Sequence, residues 1–184
     1  MSSLLRRALA KLRHPFNLQE RVYLFPDPWG MERPSEQYRF AETNTIIAEH
    51  IDPVKTILEI GSGEGHQSEW LQKLGVVHGI ESSTHAVKRA QKRVPGATFE
   101  VGSLPNLSHV HADLICAFEI LYYLSDAELA AAIKALNAAA PHRMVSYHQH
   151  PKTVTKLDPV VLSIPGVQST VIAFNEHRWT VAWW

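Results

Sequence analysis

From Thr56 onward the chain alternates between two hydrophobic periods. Short apolar, β-branched runs at 56–60 (TILEI), 76–80 (VVHGI), 97–101 (ATFEV), 112–118 (ADLICAF) and 143–148 (RMVSYH) have the length and composition of strands. Helical spacing fills the gaps between them. In HQSEWLQKLG, residues Trp70, Leu71 and Leu74 share a face and Gly75 is a C-terminal stop. The segment 83–96 opens on Ser/Thr caps and closes at Pro95-Gly96. In 125–140, Ser125 and Glu128 form a capping box, and Leu129, Ile133 and Leu136 line one side. At the end, VQSTVIAF, a polar turn NEHR and WTVAWW read as a β-hairpin. Ahead of the first strand, the proline- and turn-rich stretch FPDPWGMERPSEQ leads into a helix near 35–51.

Strands alternating with helices imply right-handed crossovers and a parallel sheet covered on both faces. The hairpin adds an antiparallel edge. The expected fold is α/β: a Rossmann-like three-layer α/β/α sandwich on a mostly parallel, seven-stranded sheet. A chain of 184 residues suits one domain with one sizeable core. Within it, 1–50 would form a helical cover or lid and 55–184 the ligand-binding core. The segment HPKTVTKLDPVVLSIP reads as a short connection that leaves a cleft open. The alternation in WTVAWW fits either sheet core or a dimer edge, so monomer and homodimer both stay open.

Formal net charge is zero and the pI is about 7.2, which argues against a broad basic surface built for nucleic acid. The single cysteine, Cys116, lies in an apolar run. It excludes an internal disulfide and CxxC metal sites, and it suggests a reducing, cytoplasmic setting. No segment approaches the roughly 20 apolar residues of a membrane span. The N-terminus MSSLLRRALAKLRHPF is basic, and its first acidic residue is Glu20. The favoured reading is an extra helix that packs Leu4, Leu5, Leu9 and Leu12 on the domain. A transit peptide or contact with an anionic surface is the alternative.

The stretch ILEIGSGEGHQSEWL carries the chemistry. Gly61, Gly63 and Gly65 allow positive φ and let a ligand lie against bare main chain at the first strand-to-helix turn. A dinucleotide needs G-x-G-x-x-G to seat its pyrophosphate, but here the spacing is G-x-G-x-G and position 66 is His. Glu64 would place a carboxylate where a pyrophosphate is repelled and an ammonium is welcome. Glu81, at the end of the second strand, suits a ribose diol. The site therefore wants an adenosine-like ribose and no phosphate.

These features together resemble the class I S-adenosylmethionine-dependent methyltransferases. The matching residues are the turn from Glu59 to Gly65, then Glu81, then Gly102-Ser103-Leu104, then ADLICAFEILYYL. A narrower resemblance is to the nodulation protein S group, which N-methylates a chitooligosaccharide amine. It rests on Asp27, Pro28 and Trp29, on Pro34, Glu36 and Arg39, and on Glu119, Tyr122 and Tyr123. The resemblance implies S-adenosylmethionine as cofactor. It places Glu59, Gly61, Ser62, Gly63 and Gly65 at the methionine end, Glu81 at the ribose, and Ser103 and Leu104 near the adenine. Ser82 and Phe118 are further cofactor-binding candidates. Many relatives carry Asp where this chain has Ser103, which weakens the contact to the adenine amino group. Arg39 would pair with the cofactor carboxylate, and Trp29 would close over it.

Glu119 follows the fourth strand directly and is the candidate base or orienting group for a neutral amine acceptor. Tyr122 and Tyr123 would line the acceptor pocket, with one of them in the core. His148 is a further candidate base, and on a strand it shares a face with His150. No metal site is expected. The acceptor would be a small molecule or saccharide, with an O-methyltransferase of a small metabolite as an alternative. A nicotinamide-dependent oxidoreductase is disfavoured by His66. A non-catalytic scaffold of the same fold is the remaining alternative.

Overall fold

The computed structural model describes residues 20–51, 53–103 and 111–184, so the helix expected at the N-terminus and Leu104 lie outside the described residues. Seven strands form one sheet: β1 (Thr56–Ile60), β2 (Val76–Glu81), β3 (Thr98–Val101), β4 (Leu114–Phe118), β5 (His142–His148), β6 (Gln168–Phe174) and β7 (His177–Trp183). Their order is β3-β2-β1-β4-β5-β7-β6. The first five strands pair in parallel, and β7 runs antiparallel to both β5 and β6. The chain moves outward from β1 to β3, then restarts at β4 on the other side of β1. Such a reversal opens a crevice at the carboxyl ends of β1 and β4.

The helices are α1 (Pro34–His50), α2 (His66–Leu71), α3 (Thr84–Arg93), α4 (Asp126–Ala139) and α5 (Pro151–Val161). Side-chain alternation along the strands divides the core into two layers. Ile57, Cys116, Met144 and Val181 meet Ile46 and Ile47 of α1 and Leu71 of α2. Leu58, Ile115, Val145 and Tyr147 meet Leu129 and Leu136 of α4 and Leu157 of α5. The three-layer expectation holds.

Three local expectations need correction, and one open alternative is resolved. The helix after the glycine turn ends at Leu71, and residues 72–75 form turns that fold back on the Leu71 carbonyl. The 150–165 connection contains an eleven-residue helix, α5, with Pro151 at its first turn and Leu157 and Val161 buried on the sheet. His150 does not share a strand face with His148, because β5 ends at His148 and the His150 ring caps α5 by accepting from Lys152 N at 3.3 Å. WTVAWW is sheet core: β7 lies between β5 and β6, and Trp179 and Trp183 are both buried.

Candidate functional site

The glycine turn needs its glycines. Gly61, Gly63 and Gly65 have φ of 72°, 54° and 80°, where a side chain is strained. A Cβ on Gly61 would also stand 2.5 Å from Ile120 Cγ2. The amides of Gly61 and Ser62 donate to the Ile80 carbonyl, at 2.7 and 3.2 Å, which ties the turn to β2. Ser62 is buried with no hydrogen-bond partner for its Oγ.

Glu81 is oriented rather than loose. Its Oε2 accepts from Gly63 N at 3.1 Å, and its Oε1 accepts from Ser82 Oγ and Ser83 N, both at 2.9 Å. An ionised carboxylate has about four acceptor positions, so rotation of the Ser82 hydroxyl would make room for both hydroxyls of a ribose. Glu59 is buried at the foot of the turn and accepts from Ser68 Oγ. Burial pushes its carboxyl up to a pKa of about 7, against Ser68 and Arg39, which favour the ionised form.

Arg39 reaches the same place from α1. It is buried, it pairs with Glu36 at 2.9 Å, and its Nη1 donates to Gln67 Oε1 at 3.2 Å. Gln67 Nε2, also buried, has no partner. The Arg39 charge favours the ionised forms of both Glu59 and Glu119. Sequence reasoning passed over Gln67 and Ser68, because nothing in HQSEWL distinguishes them from ordinary polar helix positions.

Glu119 is the most strained functional candidate. Its φ of 58° is in the left-handed region, where a non-glycine residue carries a cost. The strain turns its carboxyl back onto β5. There Oε1 accepts from Ser146 Oγ at 2.8 Å and Oε2 from His148 N at 3.0 Å. Burial raises its pKa, and Arg39, Ser146 and His148 N oppose the shift. His148 itself is half-buried, with its ring against His177 and Trp179. Burial and the neighbouring His177 hold its pKa below the ordinary value.

The aromatic cover lies over this crevice. Tyr122 packs partly on the α4 side of the core, while Tyr123 is exposed and sits 6.2 Å from the Trp29 ring. Trp29 Nε1 donates to Tyr23 Oη at 3.2 Å, and Tyr23 is so close to Gly63 that a Cβ there would lie 2.9 Å from its hydroxyl. Tyr23 gave no signal in the sequence. Phe118 is buried as the last residue of β4, and Ser103 is half-buried just past β3.

Glu64 corrects an expectation. Its carboxylate does not face the ligand side as a free charge. It is buried, ion-paired with Arg89, and accepts from Asp27 N at 2.8 Å. It fastens the 20–33 cover to α3. Asp27, Glu64 and His66 bring possible metal-ligand atoms within 4.8 Å of one another, but the Glu64 oxygens are taken up by Arg89 and Asp27 N.

Residues 57–140 match a family model described as a methyltransferase domain. That segment is thus similar to a methyltransferase domain, and the chain shares its fold with solved methyltransferases that hold S-adenosylmethionine or S-adenosylhomocysteine. It is similar to the N-methyltransferase NodS from Bradyrhizobium japonicum WM9, solved with S-adenosyl-L-homocysteine. The two share 20% identity with a TM-score of 0.75, over 93% of this chain and 97% of that one. An amino pentose methyltransferase from Micromonospora echinaspora, with S-adenosylmethionine bound, is similar at 15% identity and TM-score 0.65, over 78% and 89% of the two chains. The magnesium protoporphyrin IX methyltransferase from Synechocystis PCC 6803 is similar at 17% and 0.63, over 98% and 92%. Sequence comparison with curated proteins returns no match.

The crevice fits the cofactor on its own chemistry. Bare backbone lies at the turn, Glu81 is aimed beside it, and the buried Ser62 Oγ and Gln67 Nε2 lack partners there.

Proposed function

We propose that the protein methylates the nitrogen of a small-molecule amine, with amino sugars and oligosaccharide amines as the acceptor class. The observation that supports this most is Glu119, a half-buried carboxyl on a strained backbone just past the end of β4, with a raised pKa. A carboxyl with a raised pKa is a stronger base than a free one, and an ammonium acceptor must lose a proton before it attacks.

When bound, the cofactor supplies an electrophilic methyl group on a sulfonium that leaves as a neutral thioether. The chain's own residues bind, orient and deprotonate. Glu59 and the Gly61–Gly65 turn with Ser62 hold the methionine end. Arg39, fixed in plane by Glu36 and Gln67, faces the carboxylate. Glu81 and Ser82 would hold the ribose, and Ser103 and Phe118 would border the adenine. Trp29 and Tyr123 cover the crevice and exclude water. Glu119 accepts the amine proton and aligns the nitrogen lone pair, Tyr122 walls the acceptor pocket, and His148 fixes Glu119 through its backbone amide.

Calorimetric titration with S-adenosylmethionine and S-adenosylhomocysteine is the first test, with Glu81→Ala as control. Micromolar binding lost in the variant supports the site and opens a methyl-transfer screen of glucosamine, its oligomers and simple amines. No binding by the intact chain would favour a scaffold role instead. Methylation confined to hydroxyl acceptors would refute the amine reading.

A further inference from the structure

Leu24 and Phe25 stand together on a turn and are 58% and 48% exposed. The turn is braced from below. Tyr23 is buried, and its carbonyl accepts from Arg89 Nη2. Before the turn, the Glu20 carboxylate accepts from Ser83 Oγ at 2.7 Å and from Thr84 N at 2.8 Å. After it, Asp27 N donates to Glu64. Two consecutive large apolar side chains are thus held outward on a rigid base. They make a convex knob, not a groove.

Arg21 is exposed beside the turn, and Lys88 and Lys92 are exposed on α3, the helix that braces it, while the carboxylates of Glu20 and Glu64 at its base are held by Ser83, Thr84 and Arg89. The sequence leading into the turn has the same chemistry. Leu4, Leu5, Leu9 and Leu12 fall at helical spacing, with Arg6, Arg7 and Lys11 between them. In the first 25 residues, five of the chain's eighteen Lys and Arg stand against one of its eighteen Asp and Glu, although the whole chain is neutral.

We propose that the Leu24–Phe25 turn and its basic surround dock the protein on an anionic lipid bilayer surface. A convex apolar pair enters the headgroup region of a deformable bilayer without a preformed complementary pocket. The flanking cations meet the negative surface potential. Nucleic acid would use the cations but leaves the apolar pair without a role. Among the described residues no helix is long and apolar enough to cross a membrane, so the contact is peripheral.

The test is co-sedimentation of the full chain with phosphatidylcholine vesicles, and with vesicles that also contain roughly 30% phosphatidylglycerol. Partitioning should rise at least about tenfold on the anionic vesicles and fall with added salt. The double variants Leu24→Ser/Phe25→Ser and Lys88→Glu/Lys92→Glu should each lose about tenfold in partitioning, with S-adenosylhomocysteine binding unchanged. That unchanged binding shows the fold is intact. Equal partitioning to both vesicle types would overturn the proposal. So would full membrane binding by the Leu24→Ser/Phe25→Ser variant, or tight capture of a fluorescent oligonucleotide that depends on Lys88 and Lys92 but not on Leu24 and Phe25.

Discussion

Replacing Glu59 with Gln should flatten the pH dependence of stability. The Glu59 carboxyl is buried at the end of β1, and burial pushes its pKa up to about 7 from an ordinary 4.5. The unfolded chain releases this proton near pH 4.5, while the folded protein keeps it to about pH 7. Across that window the folded state binds more protons, so stability falls as pH rises. Moving a carboxyl pKa from 4.5 to about 7 corresponds to about 3 kcal/mol, at ~1.4 kcal/mol per tenfold change. The stability is fully present below pH 4.5 and has gone once the pH passes the folded value. Gln keeps an acceptor for Ser68 Oγ but adds a buried amide, which costs about 1–3 kcal/mol if unpaired. That cost is the same at every pH, so the slope carries the information. Urea unfolding of the ligand-free protein at pH 5 and pH 8 measures it. The wild type should lose about 3 kcal/mol more than Glu59→Gln over the interval. Parallel losses would mean that Glu59 is already ionised in the fold, and the reasoning would fail.

Glu119→Gln should lower kcat by about 10²–10⁴-fold and remove the rising acid limb of the pH–rate profile, with S-adenosylhomocysteine affinity held within about threefold. Retention of a tenth of the activity would exclude Glu119 as the base. Glu81→Ala should weaken S-adenosylhomocysteine binding by about 10–10³-fold in calorimetry, since charge-assisted hydrogen bonds are lost; near-normal affinity would move the ribose elsewhere. Gly61→Ala should cost about 2–4 kcal/mol in thermal unfolding, from left-handed strain at φ 72° and a contact 2.5 Å from Ile120 Cγ2. An unchanged melting point would show that the turn can relax. At pH 6, S-adenosylmethionine should release more protons on binding than S-adenosylhomocysteine, measured in buffers of different ionisation enthalpy. Equal release would show that the sulfonium charge is not felt by the buried carboxyls.

Much of the sheet was legible because each strand writes its own pattern. LICAF is apolar throughout and TILEI is apolar apart from Thr56 and Glu59, as central strands covered on both faces tend to be. The capping box at Ser125 and Glu128 forms in full, because it depends on residues three apart. The helix α5 was not legible. Its Thr153, Val154, Thr155, Val160 and Val161 are β-branched and Pro159 lies inside it, so local propensity opposes it. Burial of Leu157 and Val161 against the sheet decides the matter, and that is a tertiary fact. The same limit applies to WTVAWW, where the pairing of β6 on its outer side makes core of what alternation left open. It applies again to Glu64, whose partner Arg89 lies 25 residues away on α3.

The arrangement around Arg39 explains why these carboxyls belong together. Glu36 from α1 takes the guanidinium directly at 2.9 Å, while Glu59 and Glu119 feel its charge without an ion pair of their own. Glu59 is buried and Glu119 half-buried, and burial raises the pKa of both against the pull of the Arg39 charge. A positively charged ligand in the crevice reverses the balance and favours their ionised forms. If Glu119 is the base proposed above, a bound sulfonium would favour the ionised form that accepts a proton, and loss of the methyl group would remove that bias. The strain at Glu119 serves the same end, since an extended backbone at that position would not turn the carboxyl onto Ser146 Oγ and His148 N.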